Sequence, residues 1–199
     1  MRVLLVSAAI LVADQITKML VRGFHIPGLG IRWEGMPLGT SHPILGEFLR
    51  LTYVENPGMA FGIDIGGKIF FSVFSILASI GIITYLYRVR NERLGFRFSL
   101  ALILGGAVGN LIDRLFYGVL FQGAPLFQGR VIDFLDVEFF DIALFGVHLT
   151  RWPVFNIADA AVTMGVLLLL VFYRTPVEQG HPVPQSTPSE TPSSPGDDT

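Results

Sequence analysis

The sequence predicts an all-α membrane protein, a bundle of four transmembrane helices. Two observations carry this. Apolar residues make up 51% of the chain and charged residues 15%, against about 25% charged in a soluble domain. The apolar residues are also gathered into long runs, not spread at helix or strand period. A formal net charge of −2, with no basic patch among aromatics, argues against nucleic acid as a partner. The absence of cysteine excludes disulfides, thiolate metal sites and a cysteine nucleophile.

The first run, about 3–21, has no convincing cleavage site of small residues and contains Asp14 and Lys18, so it reads as a retained helix. These two residues lie one turn apart and can neutralise each other. They form either an interfacial anchor with a snorkelling lysine or part of a site. Residues 23–66 are rich in Gly and Pro, as turns and short strands require, and 48–54 is the best strand. Asn56-Pro57-Gly58 follows. Locally it reads as an ordinary turn; the sharper reading has it present Asn56 to a site.

The second run, about 69–87, carries no charge and is expected to pack or face lipid without chemistry. Arg88, Arg90, Arg93 and Arg97 follow it, so the next loop is cytoplasmic by the positive-inside rule. That puts both termini inside and residues 23–66 and 117–152 outside. The third run is about 98–116. Gly105 and Gly109 permit a close helix approach. Gly106, Asn110 and Asp113 share a face, with Arg114 adjacent. An interfacial Asp–Arg cap would explain Asp113 and Arg114 but neither Asn110 nor the glycines.

In the second outer segment Asp133 stands among Val131, Ile132, Phe134 and Leu135, neighbours that raise a carboxyl pKa. Asp136, Glu138 and Asp141 read as solvated loop charge. The fourth run, about 154–173, is long enough to span, yet Asn156 and Asp159 lie near its start on one face. A carboxylate there faces protein or water and marks a functional hypothesis. Residues 1–174 thus form the membrane domain. Residues 175–199, rich in Pro, Ser, Thr and acids, are expected to be a disordered cytoplasmic tail.

Depth brings these groups together. At about 1.5 Å per residue, Asp14 lies in the outer half of the first helix and Asn110 and Asp113 in the outer third of the third. Asn156 and Asp159 lie within about 10 Å of the outer end of the fourth. Polar groups from three helices therefore share one layer, and the inner halves are nearly bare of charge. There is no His-Glu-x-x-His and no Gly-x-Ser-x-Gly, and the four histidines lie outside the spans. A Ser7–Lys18 pair is disfavoured because Asp14 competes for the ammonium. A carboxylate dyad sharing one proton remains, one member activating water while the other polarises a carbonyl. The alternatives are a proton-coupled carrier relaying through Asp14, Asp113 and Asp159, and a scaffold with interfacial ion pairs.

Five ordered motifs resemble the boxes of bacterial lipoprotein signal peptidase (signal peptidase II). They are Asp14-Gln15-x-x-Lys18, Asn56-x-Gly58-x-Ala60-Phe61, Gly105-Gly106-x-x-Gly109-Asn110-x-x-Asp113-Arg114, Val131-Ile132-Asp133-Phe134 and Phe155-Asn156-x-Ala158-Asp159. The resemblance implies a four-helix aspartyl endopeptidase of the inner membrane with a small extracytoplasmic β-cradle. It implies cleavage of diacylglyceryl-modified prolipoproteins before the lipidated cysteine; from the residues themselves, with no zinc motif and no histidine in a span, no metal or other cofactor is expected. It implies Asp133 and Asp159 as the catalytic pair. Asp14, Asn56, Gly106, Asn110, Arg114, Asn156 and Ala158 would support the pair or the substrate, with Lys18 and Asp113 structural. It also implies membrane lipid and the cyclic peptide globomycin as ligands. The choice of Asp133 over Asp113 comes from the resemblance, not from spacing. One departure is an insertion over 120–128, expected to rest on the outer leaflet.

Overall fold

The computed structural model describes residues 2–60, 63–64, 67–144 and 147–173. The expected tail, 175–199, lies outside them. Four helices follow the four apolar runs: α1 (Leu4–Arg22), α2 (Gly67–Arg88), α3 (Leu94–Ile112) and α4 (Ile157–Phe172). Three helical stretches, Leu4–Arg22, Ile69–Arg88 and Leu94–Gln122, are long and apolar enough to cross a membrane. The fourth has 16 residues, about 24 Å at 1.5 Å per residue. It is shorter than its apolar run because Asn156 caps it and Phe155 belongs to an extended segment.

The third helix differs most from expectation. It begins at Leu94, ahead of residue 98, and beyond Ile112 widens into a π-helix over Asp113–Gln122. Residues 117–122, expected in the outer loop, are therefore helical, and the 120–128 insertion is partly helix. A π-helix is rare, and here the chain after Gly123 folds back onto it. Ala124, Phe127 and Gly129 donate backbone N–H groups to the Gly118, Leu115 and Arg114 carbonyls. Gly129 lies so close that a Cβ would meet the Asp113 carbonyl.

Glycine sets the helix spacing. A Cβ at Gly105 would stand 2.9 Å from the Ser7 carbonyl oxygen of α1, and one at Gly106 would run into the Ala158 carbonyl of α4. Helix α3 thus packs closely against both α1 and α4. Leu100, Ala101 and Leu104 form a buried cluster with Val3 and Leu86. Helix α2 exposes Ile69, Phe70, Phe74, Leu77 and Ile80, as a lipid-facing helix should.

Small antiparallel sheets join the helices. β1 (Phe24–Ile26) pairs with β2 (Ile31–Trp33). A four-stranded sheet runs β3 (Ser41–Leu45), β4 (Leu49–Asn56), β7 (Val131–Leu144), β8 (Val147–Arg151). The short β5 (Met59–Ala60) and β6 (Ile63–Asp64) pair with each other. Tyr53, Ile132 and Phe134 of this sheet pack with Val21 and Tyr117, anchoring it to the C-terminal end of α1 and to the π-helix that continues α3.

Candidate active site

Strands β4 and β7 and the start of α4 converge on one buried polar cluster. Val54 pairs with Asp133 and Asn56 with Val131 in the β4–β7 ladder. Phe155 pairs with Leu135, donating to its carbonyl at 3.0 Å while the Leu135 N–H returns a bond at 2.7 Å. That pairing delivers Asn156 and α4 beside Asp133.

The two carboxylates of interest meet around Asn156. Its side-chain amide donates to Asp133 Oδ1 at 2.7 Å. Its backbone N–H donates to Asp159 Oδ2 at 3.2 Å, while its Oδ1 accepts from the Asp159 N–H at 2.9 Å. This reciprocal pair is a capping box, so Asp159 closes the helix N-terminus with one oxygen. Its other oxygen, Oδ1, accepts from Asn110 Nδ2 at 2.7 Å. Asp133 Oδ2 accepts from Asn56 Nδ2 at 3.0 Å. The Asn-Pro-Gly turn is therefore more than an ordinary turn. The Gly58 N–H donates to Asn56 Oδ1 at 2.9 Å, which turns the amide nitrogen toward Asp133. Gly58 has φ +106°, and a Cβ there would stand 2.8 Å from the Phe71 ring.

Asp133 is 2% exposed. Burial, reinforced by the nearby Asp159 charge, pushes its carboxyl up to about 7, against the opposing bonds from Asn56 and Asn156. A carboxyl so placed holds a proton close to neutral pH.

Behind this pair lies a fully buried charge cluster. Lys18 Nζ is 2.8 Å from both Asp14 Oδ2 and Asp113 Oδ2, and all three side chains have no exposure. The snorkelling reading of Lys18 is thus overturned: the ammonium turns into the bundle because two carboxylates neutralise it there. The Asp113–Arg114 cap is overturned too. Asp113 pairs with Lys18 and accepts from the Ile132 N–H at 3.2 Å, which fixes β7 next to Asp133. Arg114 lies over the Phe71 ring at 5.2 Å, so α2, expected to carry no chemistry, supplies a wall of the site. Asp14 Oδ1 accepts from the Ala158 N–H at 3.0 Å, satisfying one of the free donors at the start of α4.

Lys18 also donates to Asn110 Oδ1 at 2.9 Å, and Asn156 Nδ2 donates to the same oxygen at 3.1 Å. With its oxygen claimed by two donors, Asn110 can only present its NH₂ to Asp159. The buried lysine thereby sets the polarity of a contact it does not touch.

Two participants escaped the sequence reading as site residues. Gln15 Nε2 donates to Asp113 Oδ1 at 3.0 Å and to the Gly109 carbonyl at 3.1 Å. Tyr117 donates to Gln15 Oε1 at 3.0 Å. Gln15 is polar and adjacent to Asp14 within an apolar run, and that was its available signal. Asp136 is likewise not solvated loop charge. It is buried, accepting from Thr52 at 2.7 Å and pairing with Arg151 at 2.7 Å, and Glu138 pairs with Arg151 at 3.0 Å. A β-sheet bonds these groups across strands distant in sequence. The side chain of Asp141 lies outside those described.

Comparison with known proteins identifies the family. A family model for signal peptidase (SPase) II matches residues 6–174. A lipoprotein signal peptidase of Chlorobium phaeobacteroides is 37% identical over 170 residues, 85% of this chain and 94% of the relative. One of Porphyromonas gingivalis is 36% identical over 191 residues, 82% of this chain and 79% of its own length. Two solved structures of a bacterial membrane enzyme, each 29% identical, cover 85% of this chain with TM-scores of 0.61 and 0.62, and 85% and 90% of their own chains. Motifs, geometry and relatives agree that the chain belongs to the signal peptidase II family.

Proposed function

We propose that this chain cleaves diacylglyceryl-modified prolipoproteins before the lipidated cysteine, with Asp133 and Asp159 as the working carboxylates. As a signal peptidase II it is an aspartic endopeptidase and a multi-pass membrane protein. The observation that carries the residue assignment is Asn156, which bonds both carboxylates at once and leaves them in one buried polar setting. Of the carboxylates in the cluster, Asp14 and Asp113 are consumed by Lys18, which leaves Asp133 and Asp159 for chemistry.

In this mechanism the pair holds one proton. The ionised carboxylate takes a proton from water, whose oxygen attacks the scissile carbonyl. The protonated carboxyl donates to the carbonyl oxygen, and a proton then passes to the leaving amine. Asn56, Asn110 and Asn156 keep each carboxylate aimed, and Arg114 lies where it can meet substrate backbone. Gly106 and Ala158 let α3 and α4 close behind the pair.

The proposed setting is the inner membrane, with four spans and both termini in the cytoplasm. The pair lies near the outer face, where the sheet forms a cradle over a lipid-anchored substrate. The Arg88–Arg97 loop supports this orientation. The carrier alternative lacks support: the relatives carry a peptidase name, and the polar groups occupy one layer.

The test is processing of a diacylated prolipoprotein by purified protein, with and without globomycin. Asp133→Asn and Asp159→Asn should each abolish cleavage while the variants still insert and purify. Full activity in either variant removes that residue from the pair.

A further inference from the structure

An open cavity of about 510 Å³ lies away from the carboxylates, lined by Arg22, Phe24, His25, Trp33, Leu120 and Phe121 among others. It is framed by the end of α1, the β1–β2 hairpin and the last turn of the π-helix. Its size is ordinary for a small-ligand site, roughly 300–1,000 Å³. Nothing in the peptidase mechanism uses it.

We propose that this cavity binds the phosphodiester headgroup of an outer-leaflet glycerophospholipid, with Arg22 as its principal anchor. Three observations converge on it.

The first is charge. Arg32 and Glu34 in the wall pair with each other at 2.7 Å. Arg22 makes no ion pair with a carboxylate among the described residues. Its two Nη atoms donate to the Gly23 and Phe121 carbonyls, each at 3.4 Å, its side chain also meets the Tyr53 hydroxyl, and its buried Nε has no hydrogen-bond partner. The cavity wall therefore carries one guanidinium that no carboxylate pairs with among the described residues and that is held by neutral partners alone. One phosphodiester carries one negative charge, and a guanidinium fork matches its oxygens.

The second is preorganisation. The Arg22 guanidinium is stacked 3.7 Å from the centre of the Phe121 ring. Phe121 is in turn held edge-on by Tyr117, with ring centres 5.0 Å apart. The arginine is thus fixed before any ligand arrives, and the ring that fixes it lies in the 120–128 insertion.

The third is the rim, which commits the occupant to lipid over a soluble phosphate. Leu5, Val12, Ile16 and Leu20 are exposed on α1 at helical spacing. This stripe leads to Trp33, whose indole N–H donates to the Leu20 carbonyl at 2.7 Å and whose ring is half exposed. Leu120, exposed at 62%, and Phe121 border the opposite side. A cationic cavity opening between an acyl-facing helix stripe and a tryptophan is the arrangement expected at headgroup depth.

The test measures lipid binding without substrate, so its outcome is separate from that of the peptidase assignment. Full-length protein in detergent is titrated with dioleoyl phosphatidylglycerol and followed by native mass spectrometry. Parallel titrations use dioleoylglycerol, which lacks the phosphate, and inorganic phosphate as competitor. One phosphatidylglycerol per chain is expected to bind, with neither dioleoylglycerol binding at comparable concentration nor phosphate displacing it. Arg22→Gln should weaken binding about tenfold. Leu120→Glu adds a negative charge at an exposed rim position without touching the interior, and should weaken it similarly even if Arg22→Gln folds poorly. Equal binding of dioleoylglycerol, displacement by inorganic phosphate, or unchanged binding in Leu120→Glu would each overturn the proposal.

Discussion

Lys18→Met is the most informative single change in this protein. Methionine fills much of the lysine volume but removes the ammonium that serves two buried carboxylates at 2.8 Å. Breaking a buried ion pair by removing one partner costs about 3–5 kcal/mol, because the other charge is left uncompensated. Here both partners have no exposure. A loss of that size corresponds to a fall in Tm on the order of 10 °C for a chain of this length. The substitution also removes one of two donors to Asn110 Oδ1, so the amide facing Asp159 loses half of what orients it. The assay is thermal unfolding in detergent, run beside prolipoprotein cleavage. Lys18→Met should lose both stability and activity. The double variant Lys18→Met/Asp113→Asn removes one orphaned charge and should recover part of the stability but not the activity, since Asn110 is still misdirected. Two outcomes refute this reasoning: an unchanged Tm in Lys18→Met, or full cleavage by the double variant.

Three further predictions test the site at other points. Because burial and the Asp159 charge raise Asp133 to about 7, the folded protein holds a proton there that the unfolded chain releases near 4. Stability from this group is full below about pH 4 and declines as pH rises toward 7. The cleavage rate should fall on the alkaline side as the shared proton is lost. Asn56→Ala removes a bond that favours the ionised form, so its alkaline limb should move to higher pH, as a pH–rate profile would show. Gly106→Ala drives a methyl group into the Ala158 carbonyl and should cost about 1–3 kcal/mol by overpacking. Activity should drop further than stability because α4 carries Asp159, and paired unfolding and cleavage measurements would separate the two effects.

The apolar runs foretold the helices well, since period and length survive whatever packs against them. Helix ends were less legible. The start of α4 depends on a reciprocal bond between Asn156 and Asp159, and nothing in a run of apolar letters says that the cap comes three residues in. The extension of α3 through Gln122 depends on the loop that returns to satisfy its carbonyls. The layer of polar groups was readable by depth, because rise per residue is fixed. Their pairing was not. Lys18 could have met water or carboxylates from sequence alone, and only the close approach of α3, permitted by Gly105 and Gly109, brings Asp113 to it. Asp136 shows the same limit in the sheet, where Thr52 and Arg151 reach it across strands far apart in the chain.

The bond from the Ala158 amide to Asp14 joins positions 144 residues apart. A nascent chain whose last helix is still in the ribosome has its first carboxylate facing an empty place, and it lacks Asp159 altogether. With Asp159 in the role proposed above, catalytic competence arrives only with α4, the last of the four helices. Truncation anywhere before α4 is therefore expected to yield a silent product instead of an unregulated one.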